Sequence, residues 1–290
     1  NWADPRSCDY LCFLRERWSA RACNDLLNRC SQPLQKSQER FSQTEIDESR
    51  SNLCQFLRMK GLDACSVVAP GQPFCLTLLE AVLRAMFDVD VVLPSLLAAG
   101  VTTGIFGGVE TSGVWSRASK DSSCGDEIRV CDINWTSAED NYALTAELLE
   151  MEVKAGFLIE WFGSLDDARA AWPLGVAVSK LAVIQSEGKD PRLVVDATAP
   201  GLNPKAQFPE RAENPTIDEV RRLISFHYEH HPDERLVAIT IDVKSAHKRV
   251  LINPAERGFQ FISFGGRLFY YTPAHFGGKW SAWWWARVGA

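Results

Sequence analysis

Asp242 closes an apolar, β-branched run, Ile239-Thr-Ile-Asp242, and Val243 leads at once into Lys244-Ser-Ala-His247. A carboxylate at the end of a buried strand is a place to hold a divalent cation against a phosphate, and the Val243 backbone carbonyl adds a second oxygen. Taken alone, an aspartate there reads first as a cap at a strand exit. Further along, Gly265-Gly-Arg-Leu-Phe-Tyr-Tyr271 precedes His275-Phe-Gly-Gly-Lys-Trp-Ser-Ala-Trp-Trp-Trp285. Upstream stand Lys189-Asp-Pro-Arg-Leu-Val-Val-Asp196 and Gly201-Leu-Asn203.

The elements that must carry these residues are legible from their periods. Leu236–Asp242 reads as a strand. Val176–Gln185 and Arg192–Thr198 are β-branched runs joined by the turn-like Ser186-Glu-Gly-Lys-Asp-Pro191. Phe259–Phe264 and Arg267–Thr272 form a hairpin about Gly265-Gly266, and Gly278–Val288 is a helix. On that helix Trp280, Trp283, Trp284 and Trp285 are too crowded to share one face, so at least one packs inward. Residues 8–30, 34–60, Leu76–Phe87, Ala143–Lys154, Asp166–Trp172 and Pro215–Ile224 carry helical spacing or start signals. From 100 to 138 the chain is rich in Gly, Ser and Asp and reads as a long loop. The organisation is therefore a mainly helical region over 1–140 and a mixed region over 141–290.

At 290 residues, 46% of them hydrophobic, the chain can bury a large core. All nine cysteines lie between Cys8 and Cys131 without a Cys-X-X-Cys pair, and His227 is the first histidine, which speaks against a zinc module and for reduced thiols. His227, His230 and His231 lie near a helix end and make no metal site. The net charge of −6 hides an asymmetry: residues 176–290 carry 15 Lys and Arg against 12 Asp and Glu, the remainder 16 against 25. That excludes a protein that coats nucleic acid generally and leaves room for a local basic track. No apolar run is long enough to span a bilayer, so no membrane partner is expected, and an intracellular location is the default. Asn1 and Ala290 both read as cut ends of a longer product.

The order of these segments resembles the reverse transcriptases: a hairpin with an arginine on its second strand, Leu-Asn, Asp-X-X-X-Ala-aromatic, a second hairpin, then Phe-Gly opening a helix. The match covers about residues 170–290, and its finer pattern looks like retroelement polymerases of protists. The resemblance implies an α+β fold with fingers and part of a palm, an antiparallel sheet with packed helices, behind a helical N-terminal region. It implies an RNA-directed DNA polymerase working by two-metal phosphoryl transfer with Mg2+, or Mn2+, on an RNA or DNA template with primer and deoxynucleoside triphosphates.

By the same resemblance Asp242 and Val243 are metal ligands, and Arg192 lies across the triphosphate with Lys189 or Lys180 beside it. His247 stands where the family places the Tyr or Phe that excludes the 2′-hydroxyl. Phe276 and Gly277 approach the nucleotide and the templating base, and Lys279 touches a template or primer phosphate. Each has a plainer alternative: solvated hairpin bases for Lys189 and Arg192, and a hydrogen-bonded histidine opening a short helix for His247. Asp196 orients the hairpin, Asn203 reads as a turn residue, and the tryptophans read as core. The family's second carboxylate pair has no counterpart before Ala290, so this chain alone is expected to be inactive. A non-catalytic nucleic-acid-binding remnant is the competing reading. An α/β protein of unrelated chemistry is a third, and it requires Lys189, Arg192, Asp242 and Phe276 not to converge.

Overall fold

The structure, a computed structural model, describes residues 41–118, 127–232 and 242–290 together with Phe13 and Asn28. In chain order its elements are α1 (Gln43–Met59), α2 (Leu76–Ala85), α3 (Leu93–Ala99), α4 (Thr136–Glu139), α5 (Tyr142–Lys154), β1 (Leu158–Trp161), α6 (Leu165–Ala171), β2 (Val178–Ser186), β3 (Lys189–Asp196), α7 (Leu202–Lys205), α8 (Ile217–His230), two 3-10 turns at Ala246–Arg249 and Pro254–Gln260, β4 (Phe261–Phe264), β5 (Arg267–Tyr271) and α9 (Lys279–Gly289). They form two compact units, one of residues 1–94 and 215–242, the other of 95–214 and 243–290, so the chain divides at other places than residue 140.

In the first unit Ser42 and Glu45 form a capping box that starts α1. Its apolar stripe, Cys54 and Leu57, packs with Ala64, Leu78 and Ala81. Helix α8 starts on a second capping box, Thr216 with Glu219, and has no buried residue. Asp242 ends this unit. The strand expected over 236–242 and the helix expected over 8–30 lie outside the described residues, apart from Asp242, Phe13 and Asn28.

The second unit holds a five-stranded sheet in the order β1-β5-β4-β2-β3. It is mixed rather than antiparallel as expected: β2 meets β4 in parallel at Val178↔Phe261 and Ser179↔Ile262, while every other pairing is antiparallel. After those two pairs β4 diverges, and Asn134 fills the split. Its Oδ1 accepts the Leu181 N–H at 2.9 Å and its Nδ2 donates to Ser263 O at 3.0 Å. Strand β1 was not expected at all; it pairs along its length with β5. The β4–β5 turn fits the glycine signal, with Gly265 at φ 58° and Gly266 at φ 76°.

Alternate residues give the sheet two faces. Leu181, Val183, Leu193, Val195, Ile262, Phe269 and Tyr271 pack with Leu149 and Leu158 under α5. Val178 and Phe261 pack with Val176 and Ala168 beside α6. Burying each large side chain in these layers contributes about 1.5–3 kcal/mol. The stretch 100–138 is less loose than its composition suggests. Among its described residues Val101 bridges to Ile252, Arg117 to Glu210 and Val130 to Val178, and α4 falls at its end. Two buried carboxylates tie it down: Glu256 accepts from Thr103 N and Oγ1, and Glu210 from Ser112 N and Oγ and from Gly113 N.

Candidate functional site

Strand β3 is one of the sheet's two edge strands, and an edge leaves backbone groups unpaired. Here the chain turning into α9 covers part of it. The Val195 N–H donates to Phe276 O at 3.1 Å. Gly277 follows at φ 110°, and a Cβ at that position would overlap the Val195 carbonyl. Only glycine permits so close an approach.

Asn203, read from the sequence as a turn residue, is the clamp that holds this junction. Its Nδ2 donates to Gly277 O at 2.8 Å and to Thr198 Oγ1 at 2.9 Å, and its Oδ1 accepts the Lys279 N–H at 2.7 Å. One amide thus joins the end of β3, the Phe-Gly turn and the first turn of α9. The side chain of Lys279 is anchored to Ala206 O at 2.9 Å.

His247 sits in the 3-10 turn Ala246–Arg249, with its ring centroid 4.9 Å from that of Phe276. Burial lowers its pKa, and its Nδ1 has no hydrogen-bond partner among the described residues. Behind Phe276 lies His275, 1% exposed, whose Nδ1 donates to Phe276 O at 3.2 Å. Burial pushes this imidazole down to about 4; nearby Lys248 and His247 push the same way, while the bond to Phe276 O opposes them. Lys248 is ion-paired with Glu152 of α5. Both imidazoles are therefore neutral near pH 7.

The cationic residues of the hairpin stand farther along the same strand. Arg192 is exposed and opposite Ile184, three residues and about 10 Å of strand from Val195. Lys189 is exposed beside the turn, where the register shifts before Ser186. Lys180 is engaged elsewhere, its Nζ 4.9 Å from the Trp135 ring centroid and its backbone opposite Asp196. The Asp196 carboxylate accepts from Thr198 N, Ala199 N and Trp135 Nε1, so its oxygens shape the hairpin end.

His247, Phe276, Gly277 and Lys279 thus meet at one end of β3, with Arg192 and Lys189 along the same strand. Asp242 and Val243 are both exposed; Asp242 is the last residue of the first unit and Val243 the first of the second. Together they offer one carboxylate and one carbonyl, fewer oxygens than the octahedral set Mg2+ takes. Among the described residues no three His, Cys, Asp or Glu side chains gather to hold a metal. These residues do not by themselves fit a magnesium or manganese centre. Of the tryptophans on α9, Trp280, Trp283 and Trp284 are all buried, in keeping with their reading as core.

No protein-family model and no curated protein matches the chain. Among solved structures it is similar to the foamy viral protease-reverse transcriptase dRH in complex with ds DNA, at 14% identity and a TM-score of 0.36, covering 89% of this chain and 36% of that one. It is also similar to the foamy viral protease-reverse transcriptase in complex with dsDNA, at 14% identity and a TM-score of 0.32, covering 84% and 40%. The chain spans less than half the length of either. No helix among the described residues is long and apolar enough to cross a membrane.

Proposed function

We propose that the chain is the fingers and partial palm of an RNA-directed DNA polymerase of retroelement type, a nucleotidyltransferase acting on deoxynucleoside triphosphates over a primed template. The observation that carries this is the Asn203 clamp. It joins Gly201-Leu-Asn203, the β3 hairpin and Phe276-Gly277-Gly-Lys279, three of the segments whose order carries the resemblance, into one junction with His247 beside it.

In this reading Arg192 contacts the triphosphate with a planar guanidinium, Lys189 adds a second charge, and His247 stands against the sugar. Phe276 and Gly277 meet the nucleotide and templating base. Asp242 and Val243 are the residues this reading assigns to a cation, and a Mg2+ or Mn2+ centre there would need further donors.

The test is binding of a deoxynucleoside triphosphate to the purified chain, with and without Mg2+. Arg192→Gln should weaken binding about tenfold, the loss of one charge-assisted contact. Asp242→Ala should abolish any increase that Mg2+ produces. Wild-type affinity in the Arg192 variant would refute the assignment. The incomplete donor set favours one alternative, a nucleic-acid-binding remnant. That reading predicts oligonucleotide binding with no nucleotide binding at all.

A further inference from the structure

The second unit carries a groove of about 1040 Å3 that none of the roles above uses, apart from Lys279 at its rim. Loop 107–118, segment 204–214 and one side of α9 enclose it. Its volume is at the top of the range for small-molecule clefts, about 300–1,000 Å3.

The groove is built rather than incidental. Ala118 N donates to Pro209 O at 2.9 Å and Arg211 N to Ser116 O at 3.0 Å, so the two walls are tied as a short antiparallel ladder. Trp283 Nε1 donates to Glu210 O at 3.0 Å and ties α9 to the same ladder. Glu210 is the one carboxylate among the described lining residues. Its oxygens accept three hydrogen bonds from Ser112 and Gly113 and the residue is 3% exposed, so its carboxylate is engaged within the wall.

The cations that line the groove are Arg117, Arg211 and Lys279. The two arginines are exposed and have no ion-pair partner among the described residues. Lys279 uses one of its three donors on Ala206 O and keeps two. The groove also has an aromatic wall. Phe208, half-buried, stacks on Trp283 with centroids 4.8 Å apart and planes at 22°.

Guanidinium groups match phosphate oxygens in paired geometry, and aromatic faces accept unpaired bases. A duplex hides its base faces and an acidic peptide has none, so the combination selects a single strand. We propose that this groove binds a single-stranded nucleic acid segment, its phosphates on Arg117, Arg211 and Lys279 and a base against Phe208. The proposal deepens the polymerase reading and rests on it, since a strand leaving the Asn203 clamp past Lys279 would enter this groove.

The experiment is fluorescence anisotropy of a labelled twelve-nucleotide single strand with the full chain across a salt series. Three phosphate contacts give a log–log salt slope of about −2, each worth about 0.7. Arg117→Gln and Arg211→Gln should each weaken binding severalfold and make the slope shallower by about 0.7. Arg169→Gln, an exposed arginine paired with Asp166 outside the groove, should change neither. Phe208→Leu keeps apolar bulk and should lose affinity without moving the slope.

Wild-type affinity and slope in both groove-arginine variants would overturn the inference. Displacement of the strand by poly-glutamate as effectively as by unlabelled strand would overturn it too, as would equal binding of duplex. Failure of the polymerase reading looks different. Arg192→Gln would then leave nucleotide binding unchanged while the groove variants still lost the strand.

Discussion

The Val195 carbonyl and the α-carbon of Gly277 approach so closely that no side chain fits between them, and Gly277 adopts a φ of 110° there. The Val195 N–H and Phe276 O close the same junction at 3.1 Å. Substitution must therefore either break the edge of β3 or push α9 away. Gly277→Ala should cost at least about 2 kcal/mol, from backbone strain and the displaced carbonyl. Urea unfolding measures this, and a variant within about 0.5 kcal/mol of wild type would show that the approach is not tight.

Asn203 makes three hydrogen bonds through one amide, two as donor and one as acceptor. Asn203→Asp keeps the acceptor for Lys279 N but removes the donor to Gly277 O, whereas Asn203→Ala removes both. Alanine should cost about 1–3 kcal/mol and aspartate at least as much, because its carboxylate sets an oxygen against the Gly277 carbonyl. Both variants should also weaken nucleotide binding, because Phe276 is no longer held against β3. Unfolding and nucleotide titration on the same samples separate the two effects. Full nucleotide affinity in Asn203→Ala would refute the coupling.

Much of this junction was legible in the chain, and the parts that were not share a physical cause. The β2–β3 and β4–β5 hairpins are local, so β-branched runs and glycines at the turns are enough to place them. The crowding of α9 is also local: it required at least one inward tryptophan, and three of the four are buried. Strand β1 is four residues, Leu158-Ile-Glu-Trp161, too short to show a period, and its pairing with β5 defines it. The parallel contact of β2 with β4 involves two residue pairs far apart in sequence. Asn203 sits before a proline and reads as a turn until Gly277 and Lys279, more than seventy positions away, give its amide something to bind. Glu210 and Glu256 look like surface acids because their partners, Ser112 and Thr103, lie 98 and 153 residues distant.

His275 makes stability depend on pH. Its imidazole titrates near 6.5 when unfolded and about 4 when folded, chiefly because burial disfavours the cation. Between those values the unfolded chain binds the proton that the folded chain refuses, so stability falls as pH drops from 6.5 toward 4. The full loss is about 3 kcal/mol and is complete below pH 4. Thermal unfolding from pH 7.5 to 4 should show it, and His275→Asn should flatten the curve in that window. An equally steep curve in the variant would assign the acid sensitivity to other groups.

The ion pair between Lys248 and Glu152 fixes the turn that carries His247. Lys248 belongs to the 3-10 turn, Glu152 to α5, and their side chains are only 12% and 18% exposed. The Lys248 ammonium also lies 5.4 Å from the Phe157 ring centroid, while Glu152 Oε2 has no hydrogen-bond partner among the described residues. A pair so placed has given up most of its hydration, so removing one member strands a charge, whereas removing both does not. Lys248→Met alone should cost about 3–5 kcal/mol, and Glu152→Gln combined with Lys248→Met should recover at least about half of that loss. If the two changes add without coupling, the pair does not hold the turn. If they couple as expected, Lys248→Met should also weaken nucleotide binding, because the His247 ring loses its fixed position beside Phe276.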